Sequence, residues 1–296
     1  MAKLKNISEL GTLIKSIREK NRQFKMSVTI CGGTGCRANE SEALKDAFES
    51  ELRSRELDKQ VKITFSGCHG FCELGPLVVI KPEGILYCQV KEKDVEKIVS
   101  ETLIEGKIID SLLFEDPVTG EKTVYEKDIP FYKAQKRLIL SQNGSIDPTI
   151  IEDYLANGGY KALGKVLTEM TPDEVINEIK ESGLRGRGGA GFPTGRKWES
   201  CRQADGDIKY IICNCDEGDP GAYMDRSVLE GNPHLVLEGM IIGAYTIGAQ
   251  EGYIYVRHEY PWAWKNAEVA INQARKLGLL GKNIPVSYTH LTLPTN

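Results

Sequence analysis

Two groups of residues in this 296-residue chain have the types and spacing to do chemistry. The first is GLRGRGGAGFPTGRKW, residues 183–198, which holds six glycines among its first thirteen positions together with Arg185, Arg187, Arg196, Lys197, Phe192 and Trp198. Glycine loses the most backbone freedom on folding, so this density belongs where bare backbone must approach something closely. Backbone N–H groups interleaved with cations suit phosphates, and flat side chains suit a flat ring. Gly186, Gly188 and Gly191 also satisfy G-x-G-x-x-G, a weak signal unless a strand precedes it and a helix follows. A flexible linker is the bland alternative, but linkers are Gly/Ser-rich and lack Arg, Phe and Trp. The second group is four cysteines in two turn-rich segments, Cys31 and Cys36 in CGGTGC and Cys68 and Cys72 in SGCHGFC. Four thiolates from two loops can hold a [2Fe–2S] cluster or a structural zinc. Disulfides are the alternative, and nothing in the sequence suggests export.

A third segment, ICNCDEGDPGAYMDR, residues 212–226, follows the glycine-rich one. Tyr210 to Cys213 reads as a short buried strand, and Asn214 to Gly221 as turn formers that break it. Polar residues at the carboxyl end of a parallel strand are where open α/β sheets bind ligands. A solvated acidic turn is the bland reading, and a divalent-ion site from Asp216, Glu217 and Asp219 a further one.

The two long motifs, in this order, resemble those of the flavin- and NADH-binding subunit of respiratory complex I and of its soluble relatives in NAD(P)-linked iron hydrogenases and formate dehydrogenases. The resemblance runs from about Ile129 to about Asn283. It implies that Gly186, Arg187, Gly188, Gly189, Ala190, Gly191, Phe192 and Gly195 line the nucleotide, with Phe192 stacking at the adenine end of NADH. It also implies that Lys197 supplies positive charge near the cofactors, that Asn214 and Asp216 hydrogen-bond FMN, and that Glu217 faces the nicotinamide, with Glu217 and Lys197 as the catalytic candidates. The C-x4-C and C-x3-C spacing resembles a thioredoxin-like [2Fe–2S] ferredoxin, with Cys31, Cys36, Cys68 and Cys72 as ligands. A ferredoxin module fused to a flavin module resembles the beta (diaphorase) subunit of soluble, often electron-bifurcating, hydrogenases more than complex I itself. The function implied is electron transfer between NAD(H) or NADP(H), FMN and iron–sulfur clusters, with other subunits of a multi-subunit enzyme as partners. Two rivals stay open: an electron carrier without flavin activity, and a zinc-binding module.

The elements that must position these residues follow from pattern. Strand Ser27–Cys31, helix Glu40–Ser54, strand Val61–Phe65 and strand Leu77–Ile80 frame the cysteine loops. Thr171, Pro172 and Glu174 start a helix with a capping box, carried by Val175, Ile176 and Ile179 and ended by Gly183. Leu235–Ile247 reads as a buried helix too short to span a membrane, Gly252–Arg257 as a strand, and Trp264–Leu277 as an amphipathic helix. The fold class expected is α/β: an N-terminal helix over 1–25, a thioredoxin-like [2Fe–2S] domain over 26–110, a linker over 111–130 and an incomplete FMN/NADH-binding domain over 131–284. Cys88 and Cys213 are expected in the core, His69 facing solvent with tuning of the cluster as its alternative, and His234 and His258 as structural or surface residues. The net charge of −4 gives no electrostatic case for nucleic acid. Without an apolar secretory segment or a membrane span, the expected location is the cytoplasm. The related subunits continue with a further flavin motif and a [4Fe–4S] segment that this sequence lacks, and residues 285–296 read as a foreign tail on a truncated product.

Overall fold

The computed structural model describes residues 3–6 and 8–281. The expected foreign tail at 285–296, and the last residues of the expected flavin domain, lie outside the described residues. By contact the chain divides into two compact units: residues 18–150 with 230–232, and the remainder.

The first unit is a four-stranded sheet with helices on its faces. Helix α1 (Ser8–Asn21) belongs up to Ile17 to the other unit; after it come β1 (Met26–Cys31), α2 (Thr34–Ala38), α3 (Ser41–Ser54), β2 (Val61–Ser66), β3 (Val78–Lys81) and β4 (Ile85–Tyr87). The strand order is β2-β1-β3-β4, parallel between β1 and β2 and antiparallel elsewhere. The central strand β1 buries Val28, Thr29 and Ile30 alike, as a strand covered on both faces must. Leu44, Phe48 and Leu52 recur every four residues along α3 and fill one face with Val28, Ile30, Val78 and Ile80. The opposite face is closed by Cys31, Cys36, Leu77, Val79 and Leu86 with Phe114, Ile129 and Tyr132. Past the short helix α4 (Val95–Lys97), a hairpin of β5 (Phe114–Glu115) and β6 (Lys122–Thr123) and the turn of helix α5 (Pro130–Lys133) supply these covering residues. The stretch expected as a linker therefore includes part of a core, and residues 131–150 group with the ferredoxin-like sheet.

The second unit contains α6 (Ile151–Ala156), α7 (Lys161–Glu169), α8 (Pro172–Glu181), α9 (Thr194–Gln203), β7 (Tyr210–Cys215), α10 (Met224–Gly231), α11 (Pro233–Ile247), β8 (Glu251–Val256) and α12 (Pro261–Leu277). The capping box of α8 forms as its sequence requires: Thr171 Oγ1 accepts from the Glu174 N–H, and Glu174 accepts from the Thr171 N–H at 2.7 Å. Strands β7 and β8 pair in parallel, in agreement with the strand–helix–strand reading. The buried strand expected at 210–213 is longer, and one face is open: Tyr210, Ile212, Tyr253 and Tyr255 are exposed. Asn214 and Cys215, expected in the turn, continue the strand.

Helix α11 is the centre of this unit, apolar around nearly its whole circumference. Its one buried acid, Glu238, accepts hydrogen bonds from the Tyr154 hydroxyl at 2.5 Å, the Tyr160 N–H at 2.7 Å and the Leu163 N–H at 3.0 Å. A buried carboxylate is tolerated because its oxygens satisfy orphan donors at the start of α7. His234, one turn earlier, bonds the Tyr160 hydroxyl and Gln273. Among the described residues no helix is long and apolar enough to cross a membrane.

Candidate functional site

The cysteine site follows from strand pairing. Cys31 ends β1 directly opposite Ser66, which ends β2, so parallel register delivers both cysteine loops to the same end of the sheet. The thiols touch in succession: Cys36 hydrogen-bonds Cys31, Cys31 hydrogen-bonds Cys68, and Cys68 Sγ lies 3.5 Å from Cys72 Sγ. Among the described residues no group of three or more His, Cys, Asp or Glu side chains is gathered around a single-ion position; the thiols stand as a chain of pairs. The hydrogen bond to Cys36 pushes Cys31 up to about 12, and the bond to Cys31 pushes Cys68 up to about 11. Cys36, which accepts from Cys31, is held below its ordinary value. Protons are thus shared along the chain, and a cation there would displace them.

Backbone N–H groups point at the sulfurs: Gly70 donates to Cys68 at 3.2 Å, His69 to Cys31 and Leu77 to Cys36. Such bonds stabilise charge on sulfur. The glycines are required by proximity. A Cβ at Gly33 would lie 2.7 Å from Cys68 Cβ, and one at Gly75 would lie 2.6 Å from Cys36 Sγ.

His69, expected to face solvent, is 2 % exposed. Its Nε2 meets Ser66 Oγ at 3.0 Å and its Nδ1 meets Glu126 at 3.3 Å. Burial pushes the Glu126 carboxyl up, but the His69 hydrogen bond and nearby cations outweigh it and leave it below its usual value. Asn143 donates to the Cys68 carbonyl at 3.1 Å, and Phe71 packs on Phe114, Phe131 and Tyr132. Sequence reasoning missed this collar because the partners of Cys68, His69 and Phe71, namely Glu126, Asn143, Phe114, Phe131 and Tyr132, lie far along the chain from the cysteines. The expectation for Cys88 holds in burial, at 7 % exposure, although β4 ends one residue before it.

In the second unit the glycine loop is a closed hairpin. Gly186 N–H donates to the Phe192 carbonyl and Thr194 N–H to the Leu184 carbonyl, both at 2.9 Å, and the Arg185 guanidinium donates to the Gly191 carbonyl at 3.0 Å. Gly189 and Gly191 take φ of 97° and 61°, which favours glycine at both positions. Arg187, Gly188, Gly189 and Ala190 are exposed, Phe192 is 47 % exposed, and a Cβ at Gly188, Gly189 or Gly191 would meet nothing within 4 Å. Open backbone beside cations and a bare ring fits an anionic, ring-bearing ligand. Gly195 departs from the loop expectation: it lies in the first turn of α9, buried, where a Cβ would come 2.6 Å from Lys180 Cγ. It serves close packing of α8 on α9. Lys197 projects from α9 and is exposed.

The loop after β7 is held by residues the sequence did not single out. Parallel register sets Cys215 opposite Val256, so the next residues, Asp216 and Arg257, emerge together. Arg257 Nε lies 3.8 Å from Asp216, and its guanidinium donates to the Glu217 carbonyl. Asn214 Oδ1 accepts from the Asp216 N–H at 3.0 Å. Both Glu217 oxygens are engaged, accepting from the Asp225 and Arg226 N–H groups at 3.0 and 3.1 Å, so the carboxylate caps α10. Burial and the neighbouring Glu217 raise the Asp225 carboxyl. Gly243 brings the two segments' supports together: a Cβ there would lie 3.2 Å from both Trp198 of α9 and Ile211 of β7. Cys213, expected in the core, is half-buried, and the neighbour that is buried is Cys215. His258 is exposed, as expected, and His234 is structural.

Residues 7–103 match the family model of the thioredoxin-like [2Fe-2S] ferredoxin, and residues 179–292 match the Nuo51 FMN-binding domain. The chain is 57% identical over 152 residues, 51% of its length and 31% of the relative's, to the NADP-reducing hydrogenase subunit HndC of Solidesulfovibrio fructosivorans. It is 46% identical over 138 residues, 46% of its length and 31% of the relative's, to the F subunit of the NADH-quinone oxidoreductase of Escherichia coli (strain K12). A solved thioredoxin-like [2Fe-2S] ferredoxin from Aquifex aeolicus is 30% identical and matches 32% of this chain and 99% of its own, with a TM-score of 0.29. The chain spans about a third of the length of the curated relatives it matches. It carries, in series, a thioredoxin-like [2Fe–2S] ferredoxin domain and a Nuo51 FMN-binding domain.

Proposed function

We propose that this chain is an oxidoreductase subunit that passes electrons between NAD(P)H, FMN and iron–sulfur clusters, as the diaphorase-type subunit of a soluble, multi-subunit hydrogenase. The observation that carries the reading is the co-occurrence, in one chain, of four thiols in successive contact in a ferredoxin domain and an FMN-binding domain. The higher identity to a hydrogenase relative than to the NADH-quinone oxidoreductase relative favours the hydrogenase assignment over a complex I one.

The residues present fit the groups these domains imply. Cys31, Cys36, Cys68 and Cys72 would hold the [2Fe–2S] cluster, and the N–H groups of His69, Gly70 and Leu77 would stabilise charge on its sulfurs. Gly186, Arg187, Gly188, Gly189, Ala190, Gly191 and Phe192 would form the nucleotide cradle, with Lys197 adding positive charge. Asn214 and Asp216 would bind the flavin, and Arg257 would fix Asp216 for that task. Glu217 would act by holding the loop against α10. When bound, FMN links two-electron chemistry with nicotinamides to one-electron chemistry with clusters. The chain's contribution is to bind, to orient and to keep the loops rigid.

The test is optical and electron paramagnetic resonance spectroscopy of anaerobically purified protein, before and after NADH, NADPH or dithionite. A [2Fe–2S] signal reduced by a pyridine nucleotide in the presence of FMN is the expected result. A cluster reduced by dithionite but silent to both nucleotides in FMN-loaded protein would overturn the proposal in favour of a simple electron carrier, and zinc without iron would overturn the cluster.

A further inference from the structure

We propose that Cys213 and Cys215 form a reversible dithiol–disulfide site within β7, closed by small-molecule disulfides, that sets the position of Asn214 and Asp216. Alternation along the strand puts both thiols on one face, and their sulfurs lie 3.4 Å apart. That face is the packed one, where Cys213 and Cys215 sit among Leu229, Val236, Ile254 and Tyr260. Asn214, between them, points the other way and is exposed.

The two thiols differ in a way that orders the chemistry. Cys213 is half-buried and Cys215 is buried, so a reagent reaches Cys213 first. The hydrogen bond from Cys215 holds the Cys213 thiol below its ordinary value, while that bond and burial push Cys215 up. In the forward direction the Cys213 thiolate attacks one sulfur of a small disulfide such as glutathione disulfide, forming a mixed disulfide and releasing one thiol. Cys215 then loses its proton and attacks Cys213 sulfur, forming the intrastrand bond and releasing the second thiol. The two protein thiols lose two electrons and two protons, and the reagent gains them.

Reversibility follows from geometry. Residues two apart in an extended strand have Cα atoms about 6.6 Å apart, near the upper limit that a disulfide tolerates. A bond formed there is strained and therefore readily reduced, which marks labile rather than structural disulfides. Closing it draws Cys213 and Cys215 together and bends the strand at Asn214. Asn214 Oδ1 holds the Asp216 N–H, so both side chains move with the bend. That this alters flavin binding rests on the function proposed above.

The site can be read without interference from the other six cysteines. Trypsin cleavage after Lys209 and Arg226 releases residues 210–226, whose cysteines are Cys213 and Cys215 alone. The purified full chain is equilibrated anaerobically with glutathione and glutathione disulfide at varied ratio, trapped with N-ethylmaleimide, digested and weighed. At disulfide-rich ratios the expected peptide carries no alkyl group and lacks two hydrogens, and at thiol-rich ratios it carries two alkyl groups. Two alkyl groups at every ratio, or glutathione left on Cys213 without ring closure, would overturn the proposal. FMN affinity measured in the same samples should fall on oxidation and stay constant in Cys215→Ala. A disulfide that forms without changing FMN affinity would refute the effect on Asn214 and Asp216. Absence of FMN binding in both states would refute the functional reading instead, with the peptide masses still deciding the thiol chemistry.

Discussion

The cysteine site and the flavin-loop site are built on one plan and finished differently. Each lies where two parallel strands end in register, so that loops distant in sequence emerge side by side: Cys31 with Ser66 in one, Cys215 with Val256 in the other. Around the cysteines the protein completes the site itself. His69, Asn143, Phe71 and Glu126 bury and bond the loop, and Gly33 and Gly75 are glycine because a sulfur-bearing side chain fills the space. In the flavin segment Gly188, Gly189 and Gly191 face open space, Phe192 is half exposed, and one face of the β7–β8 pair is bare. A compact inorganic ligand needs donors fixed within fractions of an ångström, whereas a large planar ligand supplies much of its own contact surface.

The sharpest way to break this contrast is to remove one thiol. Cys68→Ala takes out a donor that contacts Cys31 and Cys72, and complete loss of the [2Fe–2S] absorption and resonance signals is expected, with FMN binding retained. Loss of both together would show that the two sites are not independently built.

The glycines make the next comparison. Gly33→Ala forces a Cβ to 2.7 Å from Cys68 Cβ, backbone-anchored on both sides; a loss of about 2 kcal/mol and a lowered cluster content are expected. Gly189→Ala meets no neighbour but must hold a φ of 97°, so about 1 kcal/mol is expected, with its main effect on FMN or nucleotide affinity. Chemical denaturation and ligand titration of both variants give the answer. Equal loss of stability in the two would erase the distinction between a filled and an open loop.

The buried histidines extend the contrast. His69 in the first unit has the Glu126 carboxylate on one nitrogen, whereas His234 in the second meets only a phenol and an amide. Burial lowers His234 to about 4. The unfolded residue titrates near 6.5, so between these values the unfolded chain binds a proton that the folded one refuses. Stability from this residue is therefore present above about pH 6.5 and is lost as pH falls toward 4, amounting to about 2 kcal/mol between pH 7 and 5. Comparing denaturation midpoints of wild type and His234→Gln across that range checks it, and the variant should show a flatter pH slope. An unchanged slope would place the proton elsewhere.

How much of this was legible in the sequence depends on distance along the chain. The capping box at Thr171 and Glu174, the α3 stripe of Leu44, Phe48 and Leu52, and the paired spacing of Cys31, Cys36, Cys68 and Cys72 are local patterns, and periodicity or spacing suffices to read them. The collar was not legible, because His69 alone looks like any polar loop residue until Ser66 and Glu126 are placed on its two nitrogens. Residues 111–130 read as a linker because charge and turn formers dominate them, yet Phe114 and Ile129 are buried. Gly195 shared the composition of the loop and was assigned to it, whereas it is the packing of α8 on α9 that needs it. Arg257 carried no signal beyond its position at the end of a strand.

Glu217 gives the smallest expected effect and the finest test. Resemblance places it at the nicotinamide, while its geometry makes it the cap of α10, with each oxygen accepting one backbone N–H. These are different demands on one side chain. Glu217→Gln keeps an acceptor oxygen but loses the charge that favours a helix N-terminus, so about 0.5 kcal/mol is expected. Glu217→Ala removes the cap entirely and should cost about 1 kcal/mol by thermal or chemical denaturation. If capping is the whole role, FMN affinity and nucleotide-dependent reduction will follow stability across the pair, with Gln close to wild type. A Gln variant that is stable yet poorly reduced by NADH would show that the charge also acts on bound nucleotide. The flavin loop would then be finished partly by the protein, as the cysteine site is.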